Sequence, residues 1–149
     1  MNKGEIETLA ARVEALEGPD REVDVRTQLA VFGDKRYGIK GHPANPVPGT
    51  LSEYYQAYAD VIHVDDAIDD DAVGRFTASI DAAMGLVPAE SFWRVGHDAY
   101  DPSGFTAQAS YDRGEGRLGF TTGTGYTPAT ALTAAALRAI ASTMEDDRG

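Results

Sequence analysis

The sequence contains no cysteine, few basic residues and no long apolar run. Without cysteine the chain cannot form disulfides, use a thiol nucleophile or build a cysteine-ligated zinc or iron–sulfur site. Its 149 residues include 13 Lys and Arg against 24 Asp and Glu, so the formal net charge is −11. Nucleic acids and anionic membranes repel such a chain, and we therefore expect it to bind neither directly.

Signals for export or membrane insertion are also absent from the sequence. No segment approaches the roughly 18 uninterrupted apolar residues of a membrane span. The first 16 residues carry three glutamates, where a signal peptide would have its apolar core. We therefore expect a cytoplasmic protein, and its length suits one globular domain.

Two short helices are predicted within residues 1–33. Apolar residues recur at spacings of three and four over 5–17, which is typical of an amphipathic helix. Gly18 and Pro19 end this helix, and Asp20 caps a second one over about 21–32. We expect a helical hairpin, or an arm that packs on a partner and offers a route to a homo-oligomer.

Residues 76–149 predict a helix, three short strands and a final long helix. The strands, at about 91–97, 105–111 and 117–122, are joined by turns and are most simply an antiparallel meander. Thr127 is the candidate N-cap of the last helix, with Pro128 at its first position. The predicted fold is α+β: a three- or four-stranded antiparallel sheet packed with helices, preceded by the N-terminal helical hairpin.

Between these regions, residues 34–75 predict a connector rich in proline, tyrosine and aspartate, with a short helix and a short strand as candidates. Six aspartates fall within 60–71, where there is no Lys or Arg. Such a run is either a solvated loop or an acidic face that docks on a basic protein surface. In the second case nearby tyrosines would supply aromatic anchors. The predicted partner-binding residues are Tyr54, Tyr55, Tyr58, Asp65, Asp66, Asp69, Asp70 and Asp71.

A second candidate site is the loop predicted at 121–127, with the sequence TTGTGYT. Glycine and hydroxyl residues here lead into a helix N-terminus, where backbone N–H groups favour anions. The candidate anion-binding residues are Thr124, Gly125 and Thr127. An ordinary connector with a capping threonine is the alternative.

Two further sequence patterns are weak indications of a nucleotide-binding, metal or acid–base site. The GEGRLG of 114–119 matches G-x-G-x-x-G but is flanked by strands, so a hairpin turn is the better interpretation. His97, Asp98 and Asp101 suggest a metal or acid–base site, yet a partly buried histidine beside a polar turn is favoured. We therefore predict no catalytic residue, no metal and no cofactor.

Three stretches of the sequence resemble a known family. They are 9–22 (LAARVEALEGPDRE), 76–88 (FTASIDAAMGLVP) and 127–138 (TPATALTAAALR). Together they resemble small uncharacterised proteins of alphaproteobacterial phages and prophages, of the phage α–β–α sandwich type. The resemblance implies a phage origin and a fold, and it implies no catalytic residue.

These observations favour a phage-encoded, non-catalytic accessory protein that binds a host protein in the host cytoplasm. In one version it is an anti-defence inhibitor of the anti-CRISPR kind, whose acidic, tyrosine-flanked surface competes with nucleic acid for a basic partner. The alternatives are a nucleotide binder or sponge that uses 121–127, and a virion or assembly component that self-associates through residues 1–33.

Overall fold

The computed structural model of the chain describes residues 2–32, 73–87, 91–101 and 103–144. These residues form an α+β fold with four helices and one three-stranded antiparallel sheet, as the sequence predicts. The elements in chain order are α1 (Lys3–Glu14), α2 (Arg21–Phe32), α3 (Ile80–Met84), β1 (Trp93–His97), β2 (Phe105–Gly114), β3 (Arg117–Gly125) and α4 (Pro128–Ser142).

The N-terminal helices form the predicted hairpin. Helix α1 begins two residues earlier than expected, because Asn2 and Glu5 make a capping box that satisfies two backbone donors. It also ends earlier, with Ala15 as its C-cap. Asp20 accepts a hydrogen bond from the Val23 N–H, which confirms its capping role in α2. The apolar stripe of α1 packs on α4, so this helix is not a free arm.

The sheet is the predicted meander, with strand order β1-β2-β3. The β2–β3 turn places Gly114, Glu115 and Gly116 at positive φ, between 57° and 94°. Two glycines relieve most of that backbone strain, which explains their positions. The G-x-G-x-x-G pattern is therefore a hairpin turn, as expected.

Helix α4 is the centre of the molecule. Eleven of its 15 residues are buried, since it contacts all three strands on one side and helices α1, α2 and α3 on the other. Thr127 and Thr130 form its capping box and Pro128 begins it, which confirms the predicted start. A helix enclosed on every side has little polar surface, and this one is rich in alanine and leucine.

Alanine in α4 and glycine in β3 allow the helix and the sheet to approach closely. A Cβ on Gly123 would lie 2.4 Å from both the Ala131 O and the Ala135 N of α4. Thr121 lies on the same face of β3 and donates a hydrogen bond of 2.7 Å to the Ala135 carbonyl. The side of β3 that faces the core therefore carries only small residues.

Candidate functional site

The sheet has one face packed on α4 and one face that the described helices leave uncovered. Register pairs Arg94 with Gln108, Gln108 with Thr122, and Ser110 with Phe120, so these side chains share the second face. We call this second face the open face. Its large apolar residues are Phe92, Leu118 and Phe120, with 65%, 48% and 60% of their surfaces exposed.

Leu118 and Phe120 are the apolar residues that the sequence offers in β3, and they point away from the core. The inward positions of the strand are taken by Gly119, Thr121 and Gly123. Larger residues there would separate α4 from the sheet, as the 2.4 Å approach at Gly123 indicates. Leu118 and Phe120 therefore form an exposed apolar surface on the open face.

A shallow groove of about 410 Å³ crosses the open face and reaches the β1 edge. Rings from Phe92, Trp93 and Phe120 line it, together with the side chains of Arg94 and Gln108. The Arg94 Nε–H donates a hydrogen bond of 2.7 Å to the Gln108 Oε1, which holds the guanidinium over β2. Within the described residues Arg94 makes no ion pair.

This arrangement is suited to recognition of another protein. Aromatic rings and arginine are the residue types that dominate the free energy of protein–protein association. The described residues that line the groove are three aromatic residues, one arginine and one glutamine. Sequence reasoning missed this surface, although the alternation of Leu118 and Phe120 with smaller residues was visible.

The predicted acidic and tyrosine-rich surface lies outside the described residues. This holds for all eight of its members, and their role stays a prediction. The members are Tyr54, Tyr55, Tyr58, Asp65, Asp66, Asp69, Asp70 and Asp71.

The structure corrects the loop predicted at 121–127, because residues up to Gly125 belong to strand β3. The backbone N–H and the hydroxyl of Thr124 donate to the Glu14 carboxylate, at 2.9 and 3.1 Å. Thr127 uses its hydroxyl to accept from the Thr130 N–H. A carboxylate therefore occupies the Thr124 donors, and its charge would repel a bound anion. Anion binding at these three residues stays a prediction that this geometry does not favour.

The Glu14 carboxylate also joins α1 to α4. Arg138 donates to it through both Nη atoms, at 2.6 and 2.5 Å, and donates to the Thr122 carbonyl as well. Burial raises the pKa of Glu14, but hydrogen bonds from Arg138 and Thr124 outweigh it, so the pKa lies below the ordinary value. The same contact raises the pKa of Arg138. The pair is a structural link between three elements.

The polar turn after β1 has a structural explanation. The Asp98 carboxylate accepts hydrogen bonds from the N–H groups of Tyr100 and Asp101 and from the Thr106 hydroxyl. These hydrogen bonds hold the pKa of Asp98 below its usual range. His97 is exposed, where we expected partial burial, and its ring stacks on Phe105 at 4.8 Å between centroids. Asp98 therefore orders the turn.

A buried polar network joins the three stretches that carry the family resemblance. The Thr77 hydroxyl donates to the Asp24 carboxylate at 2.8 Å and accepts from the Asp20 N–H at 2.9 Å. Arg21 donates to Asp24 and to the Gly74 carbonyl. Thr133 of α4 donates to the carbonyl next to Thr77, that of Phe76. These motifs are thus explained by packing and capping.

The described residues show neither a metal-binding cluster nor a membrane-spanning helix. Within them no group of three or more His, Asp or Glu side chains is arranged to hold a metal ion. None of the helices in this part of the chain has the length and apolar character needed to cross a membrane.

Comparison with known proteins gave no match. No family model matches the chain, and neither curated proteins nor solved structures show significant similarity to it. The resemblance to phage proteins therefore stays a prediction that depends on the three sequence stretches.

Proposed function

We propose that this chain is a non-catalytic binding protein that engages another protein through the open face of its sheet. One observation carries the proposal: Phe92, Leu118 and Phe120 project from a sheet face without a helix over it in the described chain. Complete burial of a large apolar side chain contributes about 1.5–3 kcal/mol, and these three are 48–65% exposed, so a partner that covers them gains roughly half of that free energy from each.

The charge of the open face supports the same function. The chain carries a net charge of −11, whereas the described strands place on this face Arg94 and Asp112, whose charges offset each other, and Asp98 beyond the end of β1, which accepts a hydrogen bond from Thr106. A patch that is depleted in charge at its centre and contains aromatic residues and an arginine is typical of an interface core. The partner surface that fits is apolar, with one acceptor or carboxylate for Arg94.

The wider context belongs to the same proposal. We place the protein in a phage or prophage, acting in the host cytoplasm on a host protein, because of the three stretches that resemble phage proteins. The anti-defence version requires a basic partner surface, and its support is the acidic run of residues 60–71.

The test is a double variant of the open face, Phe92→Ala with Phe120→Ala. The tagged chain is used to capture proteins from an alphaproteobacterial host lysate, and the captured protein is then purified for titration. Loss of anchor side chains typically weakens binding by 2 kcal/mol or more, so we expect at least about 30-fold weaker binding. Tyr100→Ala is the matched control, because Tyr100 is 98% exposed and lies in the turn at the end of β1.

Folding of the double variant is checked by its thermal unfolding. Both rings are mostly exposed, so the free energy of unfolding should change by no more than about 0.5 kcal/mol per substitution. A folded double variant that binds the purified partner as tightly as the Tyr100→Ala control would refute the proposal.

A further inference from the structure

Strand β1 is an edge of the sheet formed by the described residues, because the strand order β1-β2-β3 gives it one neighbour among them. The Phe92 carbonyl accepts from the Ser110 N–H, and the Asp98 N–H donates to the Gly104 carbonyl. In an antiparallel pair the hydrogen-bonded residues alternate along the strand. The backbone groups of Trp93, Val95 and His97 therefore point away from β2 and face outward.

Within the part of the chain that the structure describes, no element covers this edge, and of the usual protecting features it has only Arg94 and its short length. Proteins protect edges with lysine, proline, bulges or a covering element. Residues 93–97 read WRVGH, with neither proline nor lysine, and their pairing with β2 is regular. Four of the five are exposed and Val95 is half-buried. The edge is thus able to accept another strand.

We propose that a second copy of this chain pairs with the edge. The two β1 strands would run antiparallel about a two-fold axis at Val95, forming one continuous six-stranded sheet. With Val95 opposite its equivalent, Trp93 lies opposite His97 of the second copy, and both rows of outward backbone groups are satisfied.

The side chains suit this register. Arg94 lies opposite Gly96 of the second copy, where a Cβ would meet no atom within 4 Å, so its stem has room. The diagonal neighbours of Arg94 are then Asp98 and Arg94 of the second copy, whose charges offset. Trp93 and His97 pair as aromatic rings on the other face. Although the chain carries a net charge of −11, its β1 strand has no carboxylate.

The dimer would join two open faces into one two-fold surface. A partner that engages both faces gains avidity without a new kind of contact. This consequence rests on the function proposed above, whereas the pairing of β1 strands does not depend on it.

The experiment is sedimentation equilibrium of the full chain, with the fluorescence of the single tryptophan, Trp93, followed on dilution. We expect a monomer–dimer equilibrium and an emission shift, because Trp93 is 38% exposed in the monomer and would be covered in the dimer. Gly96→Arg places like charges directly opposite each other, and Gly96→Glu places opposite charges. A cross-strand charge pair contributes about 0.2–1 kcal/mol, and the two-fold axis makes each pair occur twice in the dimer. The dissociation constant of the dimer should therefore rise about 2- to 30-fold for Gly96→Arg and fall about 2- to 30-fold for Gly96→Glu.

Two outcomes would overturn this proposal. One is a monomer at all concentrations up to about 1 mM, where even an association of about 4 kcal/mol would be detected. The other is a dimer whose stability changes with neither Gly96 variant. If the chain is monomeric while Phe92→Ala with Phe120→Ala still weakens partner capture, the dimer fails and the proposed function stands. If the dimer forms and the double variant binds the partner as tightly as wild type, the dimer stands and the proposed function fails.

Discussion

The substitution Gly123→Ala tests the close contact between strand β3 and helix α4. The added Cβ would lie 2.4 Å from the Ala131 O and the Ala135 N, and 2.9 Å from the Ala134 Cβ. Two of these atoms belong to the helix backbone, so no side-chain rotation relieves the overlap. Overpacking typically costs 1–3 kcal/mol, and we expect the upper end, about 3 kcal/mol, since the helix has to move off the sheet.

Thermal unfolding measures this effect. For a chain of about 150 residues, 1 kcal/mol corresponds to roughly 2–4 °C, so Gly123→Ala should lower Tm by about 6–12 °C. Gly96→Ala is the matched control, because it lies in the same sheet and its Cβ would meet no atom within 4 Å. The control should change the free energy of unfolding by no more than about 0.5 kcal/mol. Equal Tm values for the two variants would refute the close contact.

Two further predictions concern polar contacts. Thr77→Val removes a hydroxyl that donates to the buried Asp24 carboxylate, so it should lower the free energy of unfolding, measured in urea, by about 2–3 kcal/mol. Thr77→Ser keeps the hydroxyl and should lower it by less than about 1 kcal/mol. Equal losses for the two variants would contradict the hydrogen-bond network. Glu14→Gln removes the ion pair with Arg138 and should cost about 1 kcal/mol at pH 7, since the pair is partly exposed. Because the folded pKa of Glu14 is lowered, its contribution is complete above the ordinary pKa of about 4.3 and is lost as the pH falls through the folded value. A difference between wild type and Glu14→Gln that does not shrink below pH 4 would contradict this account.

Local sequence signals were sufficient for most of the fold. Asp20, Thr127 and Pro128 mark helix starts through hydrogen bonding and fixed backbone geometry, and these act within four residues. The turn at 114–116 is marked by glycines for the same local reason. The capping box of Asn2 was overlooked, which displaced the predicted start of α1.

The open face and the Thr124–Glu14 contact depend on residues far apart in the sequence, so local patterns did not predict them. Alternation shows that Leu118 and Phe120 share one side of β3, but it does not tell which side a helix covers. That choice depends on the space available at Gly123, which is a property of the assembled sheet and helix. Likewise, Thr124 reads as part of an anion-binding loop until the distant Glu14 is seen to occupy its donors.

The central claim is that the open face contacts another protein, and site-specific photo-crosslinking tests it most directly. A benzoyl-phenylalanine replaces Phe120, which is 60% exposed, and a second variant carries it at Tyr100 as the control. Irradiation in host cells should give a covalent adduct with a different protein from position 120 and none from position 100. An adduct confined to the chain's own residues, or equal adducts from both positions, would contradict the account.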